Sequence, residues 1–283
     1  METAIEQQRY TPIKRKRRWL GIGKYVAVLQ VSVANNLTYM MEVFFRALML
    51  IAIVFILSQL WKTTYAIHNS KTLSGFSISD MVWYLCAAEA IAMSLPPVTR
   101  RIDEEVRSGQ LAYLLNRPCS YVLYNFAHYL GERIVRFSIN CIVATGLALL
   151  VVGPPHFTWM GIVAWPLMVF LAFGIEFVCY FAIGLLAFWA EETQSFAFLY
   201  SRITLVLGGV LAPLEIFPQP LRSIAQALPF STILYVPART LVHFEWNRFG
   251  WALVQQGITL IVGSGLLLGL YAIAMRRVNI NGG

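Results

Sequence analysis

The chain has 283 residues, 58% of them hydrophobic and only 13% charged, and 22 Lys and Arg against 14 Asp and Glu give it a net charge of +8. Soluble domains carry roughly 25% charged residues, so the composition excludes an ordinary soluble domain and fits an integral membrane protein. The basic excess gathers in KRKRR, Lys14 to Arg18, which in a chain full of apolar runs is a cytoplasmic flank held by anionic lipid rather than a nucleic-acid contact.

After this tail no cleavable signal peptide is expected, because Lys24, Gln30 and Asn35 interrupt the apolar run. Residues 19–39 are too broken by Lys24, Gln30, Ser32, Asn35 and Asn36 to cross a bilayer. They predict a helix lying in the cytoplasmic interface, with Trp19 and Tyr25 at headgroup level. A span needs about 20 apolar residues. Six are predicted, at about 42–61, 78–97, 134–152, 160–190, 196–214 and 251–275.

An even number of spans puts both termini on one side. With the termini inside, fifteen Lys and Arg, including Arg133 and Arg136, fall in cytoplasmic segments and five fall outside. The positive-inside rule then makes both termini cytoplasmic, and residues 98–118 become a cytoplasmic loop.

In that loop Ile102 and Val106 share one helical face, and Asp103 and Arg107 form an i,i+4 pair with the acid N-terminal. Ser108 and Gly109 break the helix, Leu111, Leu114 and Leu115 restart it, and Arg117-Pro118 ends it. Two short amphipathic helices around a glycine corner suit insertion into a groove of a soluble partner.

Residues 211–248 carry five prolines, Pro213, Pro218, Pro220, Pro229 and Pro237. The segment is too apolar for a free loop and too broken for a span. It predicts short helices that dip into the outer leaflet and return, packed on the fifth and sixth spans or on a partner subunit. Gly263, Gly265 and Gly269 give the last span a small-residue face, compatible with packing in the bundle or with dimerisation.

No catalytic constellation is present. GIGKY at Gly21–Tyr25 lacks the upstream Gly of a phosphate loop and has Tyr25 where Ser or Thr would bind magnesium. ATP, if used, is bound by another chain. Cys86, Cys119, Cys141 and Cys179 are scattered, as are the four His, so neither disulfide nor metal is expected. Glu89, Glu176 and Arg202 lie within predicted spans. Glu89 is open to a substrate or proton role, whereas Glu176 and Arg202 are expected to be structurally paired.

EEVRSGQLAYLLNRP, residues 104–118, resembles the cytoplasmic signature of ABC-2-type transporter permeases, R-x-G-x-L-x-x-x-L-x-R-P. GGVLAPLEIFPQPLRSIAQALPF is similar to the family's extracellular re-entrant element, and NNLTYMMEVFFRAL to its N-terminal segment. The resemblance implies an all-α permease with six transmembrane helices, an interfacial helix, a cytoplasmic coupling helix and an extracellular re-entrant element, in a bacterial-type inner membrane. It implies two ATPase subunits that carry the ATP and magnesium, and a second permease, the same chain or a related one.

Arg107, Gly109, Leu111, Leu115, Arg117 and Pro118 match the motif. In the coupling element so implied, Ile102, Val106, Leu111 and Leu115 are the expected apolar teeth. Arg101, Glu104, Glu105 and Arg107 are the charged positions beside them. The family's path, along the first, second and fifth spans, would offer Phe44, Phe45, Tyr84, Glu89, Met93, Phe198 and Leu205 to an amphiphilic, cationic substrate. The alternatives are a permease for lipid or polysaccharide, and a proton-driven secondary transporter using Glu89 and Glu176. The latter has no use for a coupling loop. A membrane-embedded enzyme is disfavoured by the missing catalytic cluster.

Overall fold

The computed structural model of the protein describes residues 21–38 and 40–281, so the basic tail and Trp19 lie outside the described residues. The chain is a helical bundle. Helix α1 (Gly23–Thr38) precedes α2 (Met40–His68). A two-stranded hairpin, β1 (Thr72–Leu73) and β2 (Phe76–Ser77), leads into α3 (Ile78–Ala92). Next come the short α4 (Val98–Arg107) and α5 (Gln110–Leu115). The long α6 (Tyr121–Val152) and α7 (Trp159–Leu185) follow, α7 being extended by a 3-10 turn, Leu186–Phe188. Helix α8 (Gln194–Leu207) opens the last third. After it come a 3-10 turn (Leu214–Ile216), α9 (Gln219–Ala227), α10 (Phe230–Ile233), α11 (Tyr235–Val242) and α12 (Trp246–Asn281).

Helix α7 is apolar on all sides and forms the centre of the bundle, as a helix without a polar face must. Its start carries Gly161, where an added Cβ would come 3.1 Å from the Thr240 and Leu241 carbonyls of α11. The two backbones touch there because nothing stands between them.

Among the described residues, four helices are long and apolar enough to cross a membrane: Phe44–His68 of α2, α6, Trp159–Phe188 and Trp246–Arg277. The predicted second and fifth spans are the 15-residue α3 and the 14-residue α8. At 1.5 Å per residue these reach about 22 Å, short of a hydrocarbon core of ~30 Å. Ser94 to Pro97 stop α3, with Ser94 Oγ donating to the Ile91 carbonyl at 2.6 Å, and Gly208-Gly209 stop α8.

The predicted third span starts 13 residues too late, because α6 begins at Tyr121, where Ser120 caps it. Arg133 and Arg136 are therefore buried helix residues and not loop charges. Removing them from the fifteen basic residues assigned inside leaves thirteen, still against five outside.

The expected helix after the tail is α1, and it runs alongside α6. Lys24 donates to the Pro118 carbonyl (2.5 Å), the Ser120 amide donates to Tyr25 (3.0 Å), and Arg136 donates to Asn36 (3.2 Å). A Cβ on Gly131 would come within 2.6 Å of the Leu29 carbonyl. The polar residues Ser32 and Asn36 are buried in this contact instead of facing water.

The proline-rich segment forms broken short helices, and its packing differs from the expected one. Helix α10 does touch α8 and α12, with Tyr200 against Phe230 (5.6 Å) and Gln256 donating to the Thr232 carbonyl (2.8 Å). Helix α11 instead returns deep between α3 and α7, with all of Tyr235 to Val242 buried. Leu221 and Ile224 of α9 face outward. In α12, Gly263 packs on Val178 of α7, while Gly265 and Gly269 face open space.

Candidate functional site

Two pieces of the bundle carry the polar chemistry, and the same helices connect them. The first is the α4–α5 corner. Helix α4 is pinned on its outer side by Arg100–Glu104 (2.8 Å) and Asp103–Arg107 (2.9 Å), both i,i+4. At Gly109 the backbone turns left-handed (φ +74°), which glycine alone adopts without strain, and α5 sets off in a new direction.

The inner side of α4 is fixed to the bundle. Ile102 is 0% exposed and lies on Gly184 of α7, where an added Cβ would come 2.9 Å from that of Ile102. Thr99 Oγ1 donates to the Tyr180 carbonyl at 2.9 Å, and Arg107 Nη2 to the Ala190 carbonyl at 3.2 Å. Toward α6, Arg101 pairs with Glu132 at 2.7 Å and the Tyr121 hydroxyl donates to Glu105 at 2.5 Å. Burial pushes the Glu105 carboxyl above its ordinary value, against the pull of the Tyr121 hydroxyl and Arg101.

This corrects the expected teeth. Ile102 and Leu111 are buried in the chain's own core, and Val106 and Leu115 are half-buried against the same cluster. The amphipathic face of α4 is satisfied by α7 and so is not available to a partner. What the corner turns outward is Glu104, Arg107, Gly109, Arg117, Pro118 and above all Tyr113. That ring is 67% exposed, with the Arg117 guanidinium 5.1 Å from its centroid.

The second piece is a cavity of about 410 Å³ bounded by α2, α3, α7 and α8. Glu89 and Met93 line it from α3, Glu176 from α7, and Arg202 and Leu205 from α8. The three ionisable residues singled out in the spans thus meet at one place. Their pairing is not the expected one. Glu176 binds Arg133 at 2.6 Å, and Arg202 lies over the Phe198 ring at 4.7 Å.

Arg133 is 0% exposed. It also donates to the Ile91 carbonyl at 3.0 Å and to the Tyr129 hydroxyl, and sits 4.0 Å over the Phe173 ring. One guanidinium therefore ties α6 to both α3 and α7. Glu89, two residues before Ile91, is buried and has no hydrogen-bond or ion-pair partner for its carboxylate among the described residues.

The cavity also brings together only part of the expected path. Glu89, Met93 and Leu205 line it. Tyr84 is fully buried, its hydroxyl donating to the Gly209 carbonyl at 2.5 Å. Phe44, Phe45 and Phe198 lie on the outer surface of the chain. The sequence reading missed Arg133 because the apolar window lapses there. The Ser120 cap and the Tyr129–Arg133 spacing of four were the available signal.

Residues 59–282 match the family described as ABC-2 family transporter protein. The chain belongs to that family. The match takes in the corner, the cavity walls on α3, α7 and α8, and α12. Comparison with the curated proteins gives no match. As an ABC-2 permease the chain is a multi-pass membrane protein, the transmembrane subunit of an ABC transporter, and works with ATP-binding subunits. No cluster of His, Cys, Asp and Glu suited to a metal ion occurs among the described residues.

Proposed function

We propose that this ABC-2 permease is the membrane half of an exporter in which two ATPase subunits, carrying the ATP and magnesium, seat on the α4–α5 corner and drive a cavity change some helix turns away. The observation that carries this reading is mechanical continuity. Helix α3 runs through Ser94–Pro97 into α4, and α4 is fastened to α7 at Thr99 and Ile102 and to the turn after α7 at Arg107. The same two helices bring Glu89 and Glu176 to the cavity. Packed interiors transmit displacement instead of absorbing it, so a push on α4 moves both carboxylates.

In this reading the docking surface is polar and aromatic. Tyr113 and Arg117 supply its anchor, and Glu104 and Arg107 its rim. The chain crosses the membrane six times, α3 with residues 93–97 and α8 with residues 208–213 completing the two short crossings. The thirteen-to-five charge balance supports cytoplasmic termini, in a bacterial-type inner membrane. A second permease, the same chain or a related one, faces α2, α3 and α8. Tyr113→Asp together with Arg117→Glu should release the ATPase subunits while leaving membrane insertion and folding unchanged, since neither side chain is buried. Retained co-purification and normal transport would reduce the corner to a solvated connector.

The substrate is an amphiphile, and its cationic group meets Glu89. A charge-assisted contact contributes about 1.5–3 kcal/mol, so Glu89→Gln should lower transport of a cationic amphiphile about tenfold or more. Assembly with the ATPase should persist. Equal transport of cationic and neutral substrates by this variant, at the wild-type rate, would return Glu89 to a structural role.

A further inference from the structure

Away from the corner and the Glu89 cavity, two further cavities meet at the opposite end of α12. They share Trp251 and Gln255 as a common wall. The first, about 310 Å³, has Arg222, Arg239, Arg248 and Glu245 in a mixed polar and apolar wall. Arg239 is engaged by Glu215 (2.7 Å) and Glu245 (3.0 Å), and Arg248 by Glu245 (3.0 Å) and Glu215 (3.6 Å). Arg222, half-buried, has no ion-pair partner among the described residues. Arg222 is therefore the one guanidinium of these three that no carboxylate engages among the described residues. His243, also in the wall, faces Asp80 at 3.4 Å.

The second cavity, about 690 Å³, is an apolar groove. One wall is a stripe down α12, Trp251, Val254, Ile258, Val262 and Leu266, at steps of three and four, and all five side chains are exposed. Ile175 and Val178 of α7 form the facing wall, and Ala227 to Pro229 close the end next to the arginines. From Trp251 to Leu266 the helix rises ~22 Å, enough to cover one leaflet of a ~30 Å hydrocarbon core. Exposed Trp246 and Trp251 at the arginine end are where interfacial tryptophans sit.

We propose that this paired cavity is a binding site for a membrane phospholipid with an anionic phosphodiester headgroup. The phosphate binds Arg222 and the exposed side of Arg248, and one acyl chain lies along the α12 stripe. The match is in charge and in shape. The smaller cavity offers a guanidinium, Arg222, that no carboxylate engages among the described residues, next to a groove of leaflet depth. Guanidinium is the side chain best suited to phosphate oxygens. The lipid fills the gap between α9, α7 and α12, and so holds α9 and the α9–α10 turn against the last crossing helix.

The test uses the purified full chain in a non-denaturing detergent, with bound lipid read by native mass spectrometry. The probes are dioleoyl-phosphatidylglycerol, dioleoyl-phosphatidylcholine, dioleoylglycerol and glycerol 3-phosphate. Phosphatidylglycerol should bind about tenfold or more tighter than the others, because only it offers both an uncompensated phosphate and a tail. Arg222→Glu and Val262→Trp should each weaken it by a similar factor, from opposite ends of the site. Arg222→Lys should keep part of the affinity, and Lys71→Glu, an exposed charge change in the hairpin, should keep all of it. Melting midpoints in lipid-free detergent should stay unchanged, which separates loss of the site from loss of the fold. Equal retention of phosphatidylcholine, with no effect of Arg222→Glu, would mean belt lipid only. Glycerol 3-phosphate binding as tightly as the lipid would mean an anion site without a tail. Self-association of the chain abolished by Val262→Trp and indifferent to lipid would make the groove a permease–permease face. Each of these three results overturns the proposal.

Discussion

Replacing Arg133 by leucine should destabilise the permease by about 3–5 kcal/mol, because it leaves Glu176 buried without its counter-charge. The partner is 2.6 Å away, and both side chains are buried. The change also removes the donor to the Ile91 carbonyl and the cation over the Phe173 ring, so α3, α6 and α7 lose their shared fastening. For a chain of this size the melting midpoint in detergent should fall by on the order of 10 °C. The double variant Arg133→Leu with Glu176→Leu should recover more than half of that loss, since an apolar pair of similar volume removes both desolvation penalties. A double variant no more stable than the single one would show that the ion pair is not the source of the effect.

A second large effect is expected at the contact between α4 and α7. Gly184→Val places branched carbon where a Cβ already comes 2.9 Å from that of Ile102. Overpacking of this kind costs about 1–3 kcal/mol and is relieved by moving the lighter element, here the ten-residue α4. The proposed ATPase face at Tyr113 and Arg117 is untouched, so the ATPase should still co-purify. Transport and substrate-stimulated ATP hydrolysis should fall about tenfold or more, the loss expected when a reacting contact is displaced by an ångström or so. Ile102→Ala in the same chain should restore most of it by vacating the space. Normal transport by Gly184→Val alone would mean that α4 does not act through α7.

Much of this arrangement is written locally in the sequence. The corner is legible because its determinants are neighbours: the Asp103–Arg107 spacing, Gly109, and the Arg117-Pro118 stop. Five prolines between residues 211 and 248 make the broken helices of the cap equally plain. What is not legible is what covers an amphipathic face. Ile102 and Val106 announce an apolar side of α4, but the surface that accepts it is Gly184, eighty-two residues on. A partner protein and the chain's own core are equivalent to a periodicity argument.

Arg133 fails for a related reason. Hydropathy treats a charge as the end of a span. Its neutralisation by Glu176, on another helix, is visible only once the chain has folded. The shortness of α3 and α8 is hidden because the residues beyond their ends are as apolar as the helices themselves. Only the Pro96-Pro97 and Gly208-Gly209 pairs mark the stops.

The ATP-binding subunits are proposed to push on the α4–α5 corner. The most direct measurement is photocrosslinking in native membranes, with p-benzoylphenylalanine in place of Tyr113 and, as a control, in place of Leu221 on the outward face of α9. Position 113 should crosslink to the ATPase subunit, with a yield that changes when ATP is added, and position 221 should not. Position 113 crosslinking only to lipid or to its own chain, with and without ATP, would contradict it.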